Sequence, residues 1–147
     1  MQRTIKKRRK INKPINEVWE ALSDPKMLEQ WFMEGNFKAE ESARFEFLDK
    51  PGEKWKGVFQ GEVLSSQPPI NLAYSWNHSK MNHTTYVWWK LEDVRDKTIL
   101  ELEHSGFKGL SDYFSSFSYG FFWNGRLKKL ANFLSQSKPE IKERTKM

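Results

Sequence analysis

The chain of 147 residues contains no cysteine. Disulfide cross-links, thiol nucleophiles and cysteine-held metals are thereby excluded, and a reducing compartment is the expected setting. No run approaches the roughly 18 apolar residues of a membrane-spanning helix, and no apolar leader follows the first Met. A cytoplasmic protein with no stable membrane insertion is therefore expected. Glycine and proline are few, 8 and 6, and they punctuate patterned segments without forming a linker or low-complexity stretch. A Gly-rich phosphate loop, a Ser-His-Asp order and a paired-carboxylate signature are all missing. Histidine is scarce too, at 3. His78 and His83 stand five apart in a polar stretch, a spacing that suits neither a helical nor a strand pair of ligands, so neither metal nor cofactor is expected.

The net charge of +6 is located at the ends of the chain. Residues 1–10 hold six bases and no acid, and residues 138–147 hold four bases and two acids; the body between is slightly acidic. That distribution argues against a nucleic-acid partner; the functional reading of the run Lys6 to Lys10 is a nucleic-acid or anionic-lipid patch, but with no aromatic or glycine interleaved to stack a base it reads as a solvated strand.

Aromatics are abundant, 15% of the chain, and their spacing organises it. From Ser111 to Ser137, Trp123, Leu127, Leu130 and Leu134 recur at helical spacing and predict a helix of about 35–40 Å. Phe114, Phe117 and Phe121 are expected to continue its inward face. Thr4 to Asn12 predicts a strand with Ile5 and Ile11 inward; strict alternation adds Lys7 and Arg9 to that face, which requires a bulge or a snorkelling side chain. Asn16 as cap opens a short helix to Ser23. Asp24-Pro25 opens a second, with Met27, Leu28, Trp31 and Phe32 on one side and Gly35 as its end.

From Asn36 to Ser105 the period is two. Phe45 and Phe47; Phe59, Gly61 and Val63; Leu72, Tyr74 and Trp76; Val87, Trp89 and Leu91; Leu100, Leu102 and His104 each alternate with polar neighbours. Turns fall at Lys50 to Glu53, Pro68-Pro69 and Asp93 to Asp96, and Asn77 to Asn82 reads as a loop. The pattern is α+β: a curved antiparallel sheet of about six to seven strands gripping a long C-terminal helix, with two short helices after the first strand. Residues 1–137 form one domain, and 138–147 a polar, frayed tail.

Five motifs in register carry a resemblance: Pro14 with Val18-Trp19, LSDPKMLEQWF (Leu22 to Phe32), QPPINLAYSW (Gln67 to Trp76), LEHSGF (Leu102 to Phe107), and Trp123 with Leu127 and Leu130. Together they resemble single-domain homologues of the heat-shock-protein-90 ATPase activator, within the START-like (SRPBCC), helix-grip superfamily. Phe122 departs from the family, which often has Gly beside the Trp, and so does the basic first strand. The resemblance implies a mostly apolar cavity between sheet and helix. Family members bind lipids, polyketides or flat aromatic molecules, or bind a chaperone.

The expected function is a noncatalytic carrier or sensor of a hydrophobic small molecule. Its cavity would be lined by Trp31, Phe45, Phe47, Phe59, Val63, Tyr74, Trp76, Val87, Trp89, Leu102, His104, Phe114, Phe117 and Phe121, with Tyr74, His104 and Arg9 as polar groups. One alternative is a chaperone-interacting module working through the basic first strand. The other is a cyclase- or dehydratase-like enzyme in which His104 and Tyr74 move protons. Self-association is expected to go no further than a weak dimer.

Overall fold

The computed structural model describes residues 2–48, 58–78 and 83–136. The expected turn at Lys50 to Glu53, residues 79–82 of the expected loop and the tail 138–147 lie outside the described residues, whereas Asn77 and His78, expected to open that loop, end a strand paired with Gln60 and Phe59.

The elements run β1 (Gln2–Ile11), α1 (Ile15–Ser23), α2 (Pro25–Trp31), β2 (Glu34–Gly35), β3 (Arg44–Leu48), β4 (Val58–Gln67), β5 (Asn71–His78), β6 (Thr85–Val94), β7 (Lys97–Lys108) and α3 (Gly109–Gln136). The strands form one antiparallel sheet in the order β1-β7-β6-β5-β4-β3-β2. The helix-grip expectation holds. β1 and β2 are the two edges, so α1 and α2 carry the chain from one edge to the other. The meander then returns until β7 pairs with β1, Ile5 opposite His104 and Ile11 opposite Thr98.

Local chemistry sets the element ends. Asp24 accepts a hydrogen bond from the Lys26 amide at 3.1 Å, and Pro25 occupies the first turn, so α2 starts as expected. Helix α1 starts one residue earlier than expected. The Pro14 carbonyl receives the amides of Glu17 and Val18, at 3.0 and 3.2 Å, and Asn16 lies inside the first turn. Helix α2 ends at Trp31 and not at Gly35. Phe32 leaves helical geometry, and its ring stacks on Trp123 at 5.8 Å and meets Phe47 edge-on at 5.0 Å. Gly35 belongs to β2, opposite Phe47. Arg95 and Asp96, both at positive φ, make the two-residue hairpin between β6 and β7.

The inner face of the sheet is the core face. Phe45, Phe47, Phe59, Val63, Leu72, Tyr74, Trp76, Val87, Trp89, Leu91, Leu100 and Leu102 are all buried there. On β1 the register shift lies between Arg3 and Ile5, before the expected conflict and so without effect on it. Lys7 is half-buried and Arg9 exposed, although both share the face of Ile5 and Ile11. An edge strand lets the long stems reach out to water; snorkelling resolves the parity, and Arg9 is not a polar group of the interior.

Helix α3 departs from its expected pattern in its first half. Trp123, Leu127, Leu130 and Leu134 are buried as expected, and the buried face continues backward through Gly120, Ser116 and Asp112. Phe114, Phe117 and Phe121 lie on the opposite side, 63%, 41% and 78% exposed. The reason is geometric. Phe121 precedes Trp123 by two residues, about 200° around the axis, so no continuous face includes both.

One close approach tests the sheet packing. A Cβ built on Gly61 would stand 1.9 Å from the Ser75 carbonyl oxygen and 2.5 Å from the Phe45 ring. Gly61→Ala should therefore lower the unfolding free energy by about 2–3 kcal/mol in urea melts. An unchanged midpoint would mean that β4 and β5 are not held this closely.

Candidate functional site

The candidate site lies beneath the first half of α3, where the helix packs on β1 and β7. Its floor is a chain of polar groups inside an aromatic core. Trp123 of α3 donates its Nε1–H to His104 Nδ1 at 2.9 Å. An indole N–H can only donate, so Nδ1 is the acceptor and the neutral ring carries its proton on Nε2. Nε2 lies 2.8 Å from Thr85 Oγ1, which passes its own hydroxyl proton to the Trp76 carbonyl at 2.9 Å. Each donor in this relay from α3 to β7, β6 and β5 has one acceptor.

His104 is 0% exposed. Burial lowers its pKa from 6.5 to about 3, because the imidazolium would lose its hydration. Tyr74 is likewise sealed. Its hydroxyl receives Trp89 Nε1 at 2.8 Å, and burial pushes its pKa well up, with the Trp89 bond opposing.

The side of the site under α3 is more polar. Tyr119 Oη receives Trp76 Nε1 at 3.1 Å. Burial pushes the Tyr119 hydroxyl up to about 12; the Trp76 bond opposes that shift and the Asp112 carboxylate adds to it. Asp112, whose side chain is 4% exposed, closes the corner between β7 and α3: its Oδ2 accepts from the Lys108 amide at 3.1 Å and stands 2.9 Å from His83 Nδ1. His83 is half in solvent. Ser116 is buried beside them, and its hydroxyl donates to the Tyr113 carbonyl at 2.6 Å. Gly120, also buried, completes this face; a Cβ there would meet nothing within 4 Å.

Of the fourteen residues expected to line the cavity, eleven lie together on the buried side of the fold: Trp31, Phe45, Phe47, Phe59, Val63, Tyr74, Trp76, Val87, Trp89, Leu102 and His104. Many touch ring to ring, Phe59 against Trp76 at 4.9 Å and Trp31 against Trp89 at 6.4 Å. The other three, Phe114, Phe117 and Phe121, are on the outside of α3. Missed from the sequence were Thr85, Asp112, Ser116, Tyr119 and Gly120. Stepping back from Trp123 by three or four residues at a time would have reached Gly120, Ser116 and Asp112. His83 was considered only as a metal ligand, and its pairing with Asp112, 29 residues away, has no local signal.

The geometry predicts a pH dependence. In the unfolded chain His104 titrates near its ordinary value, whereas in the folded protein it stays neutral to about 3. Between those limits the unfolded state binds the extra proton, so this contribution to stability is complete above the unfolded value. It is lost as pH falls, by up to about 1.4 kcal/mol per unit. His104→Gln should be less stable than the parent at neutral pH. In urea melts the gap should narrow on going from about pH 7 to about pH 4.5; a constant gap would contradict a buried neutral imidazole.

The comparisons with known proteins agree with this architecture. The model of a family described as "Activator of Hsp90 ATPase homolog 1-like protein" matches residues 12–135. Protein MLL2253 from Mesorhizobium loti is similar in structure with a TM-score of 0.83 at 28% identity, over 92% of this chain and 99% of that one. CalU16 from Micromonospora echinospora matches at TM-score 0.74 and 27% identity, over 97% of this chain and 83% of its own. A Rhodobacter sphaeroides protein, 18% identical at TM-score 0.78 over 92% and 93% of the two chains, shares the fold alone. Among curated proteins none matches.

Proposed function

We propose that this protein, which belongs to the family of activator of Hsp90 ATPase homolog 1-like proteins, is a noncatalytic binder of a hydrophobic small molecule. The molecule would be of the lipid, polyketide or flavonoid-like aromatic kind and would sit between the sheet and the first half of α3. The observation that carries this reading is Gly120. A buried mid-helix position is ordinarily filled by an apolar side chain, and glycine there costs about 1 kcal/mol relative to Ala. Here no atom beyond its two chain neighbours and the helix's own backbone comes within 4 Å of a Cβ. Small or polar Ser116 and Asp112 continue the same face; Trp76 reaches this part of α3 through Tyr119, and Phe59 packs against both Trp76 and Phe122 of the helix. An apolar wall with a few polar groups along one side is the chemistry of a small-molecule site. Tyr119, Ser116 and the Asp112–His83 pair are the groups that would orient a ligand's hydroxyl or carbonyl.

The two other readings have weaker support. As a proton carrier His104 has both ring nitrogens occupied and a pKa near 3, far from the range in which general acids and bases work at neutral pH. The chaperone reading relies on the basic outer face of β1. That face meets acids of its own sheet: Arg8 is 3.7 Å from Glu101 and Lys6 is registered opposite Glu103, so its field is largely neutralised locally.

A thermal-shift screen against lipids, flavonoids and aromatic polyketides tests the proposal. A ligand at one hundred times its Kd should raise the melting temperature by roughly 5–10 °C. Gly120→Leu should abolish that shift while leaving the unliganded protein as stable or slightly more so, because the side chain enters open space. If no compound shifts the parent, or if Gly120→Leu keeps the full response, the site is not here.

A further inference from the structure

The first half of α3 presents a second surface that the ligand reading does not use. Leu110, Phe114, Phe117 and Phe121 recur at i, i+4, i+7 and i+11 and form one outward stripe, with Leu110 60% exposed. Together they leave on the order of 400–500 Å² of apolar area in water, the size at which exposed patches mark interaction sites. We propose that this stripe docks the protein peripherally on an anionic lipid surface.

Charge complementarity selects that partner. Strand β1, packed beside α3, carries no acid, and its bases Arg3, Lys7 and Arg9, unlike Lys6 and Arg8, stand opposite apolar residues of β7 and not opposite its glutamates. Lys7 and Arg9 lie on the side of β1 that shares the inward parity of Ile5 and Ile11, and the Arg3 guanidinium sits 4.1 Å over the Phe117 ring. Helix α3 adds exposed Lys128 and Lys129, and its one acid, Asp112, is turned inward against His83. An aromatic stripe with cationic flanks is how a helix lies in the headgroup region of an anionic bilayer, its rings at the acyl boundary and its bases on the phosphates. No helix among the described residues is long and apolar enough to cross a membrane, so the attachment is to one leaflet.

Two other occupants fit less well. A second copy joined through the same stripe would bring these cationic flanks against each other. Single-stranded nucleic acid needs open ring faces along a groove, whereas Phe117 is covered by Arg3, and Phe114 and Phe117 stand edge-to-face with Tyr113 on a convex helix.

Co-sedimentation of the full chain with vesicles tests the proposal, comparing phosphatidylcholine alone with phosphatidylcholine mixed with phosphatidylglycerol. Binding to the anionic vesicles should be stronger by roughly tenfold or more and should weaken in high salt. The double variant Phe114→Ser/Phe121→Ser should lose binding by a similar factor while keeping its melting temperature, because neither ring is in the core. Arg3→Gln/Arg9→Gln should weaken binding to the anionic vesicles alone. Failure to bind vesicles, or equal binding by the phenylalanine variant, overturns the proposal. So does a parent dimer that the phenylalanine substitutions dissolve, or oligonucleotide binding that they abolish. Lipid docking is independent of whether the cavity takes a ligand, so the vesicle result and the thermal-shift result can fail separately.

Discussion

The hydrogen bond from Trp123 to His104 fixes how α3 sits on the sheet, and most of the remaining architecture follows from it. It is buried and directional, and it belongs to a relay in which every donor has one acceptor. A helix packed on a sheet by apolar contact alone could rotate by a fraction of a turn at modest cost. One tied through an indole N–H to an imidazole cannot, because rotation would strand buried polar atoms on both sides. Once Trp123 is placed, Leu127, Leu130 and Leu134 are driven inward, and Phe32 stacks on the indole to anchor the wedge of α1 and α2. The Trp31 Nε1 bond to the Ala21 carbonyl then holds the two short helices to each other.

The same constraint turns α3 into a helix of two opposite halves. Its second half is amphipathic in the ordinary sense. In its first half the small and polar residues Asp112, Ser116 and Gly120 face the sheet, and the phenylalanines face water. Desolvating a carboxylate and exposing three phenyl rings are both unfavourable for folding alone. Departures of this kind from the plain rules of burial are where function is usually found. One face forms the roof of the candidate cavity, and the other forms a stripe on the surface.

The basic first strand, conspicuous in the sequence, is divided in the same way by the pleat. Its outer side chains meet Glu101 and Glu103 across β7, and Lys90 on β6 joins them, 3.7 Å from Glu103 and 3.8 Å from the Trp88 ring. Its inner side chains, Lys7 and Arg9, reach past the sheet edge on the side of α3. A charge run that reads as one feature in the chain is two features in the fold, one compensated within the sheet and one not.

The sequence by itself was sufficient for what depends on local periodicity and short-range chemistry. Alternation in β3 to β7 marked the inner face, Asp24-Pro25 marked the start of α2, and the Trp123 to Leu134 spacing marked the second half of α3. The helix-grip class followed from the order of these elements. Tertiary structure decided what depends on partners distant in the chain. Phe114, Phe117 and Phe121 look like core residues because they are large and apolar, yet the rotation of α3 is set by His104, a residue of another element. Asp112 looks like a surface acid until His83 and the Lys108 amide are brought to it. His104 looks like a reactive histidine until Thr85 and Trp123 take both its nitrogens. Composition and spacing record how much apolar and polar surface a segment has. Which of it is buried is fixed by long-range pairing of donors with acceptors, and that pairing exists only in the folded chain.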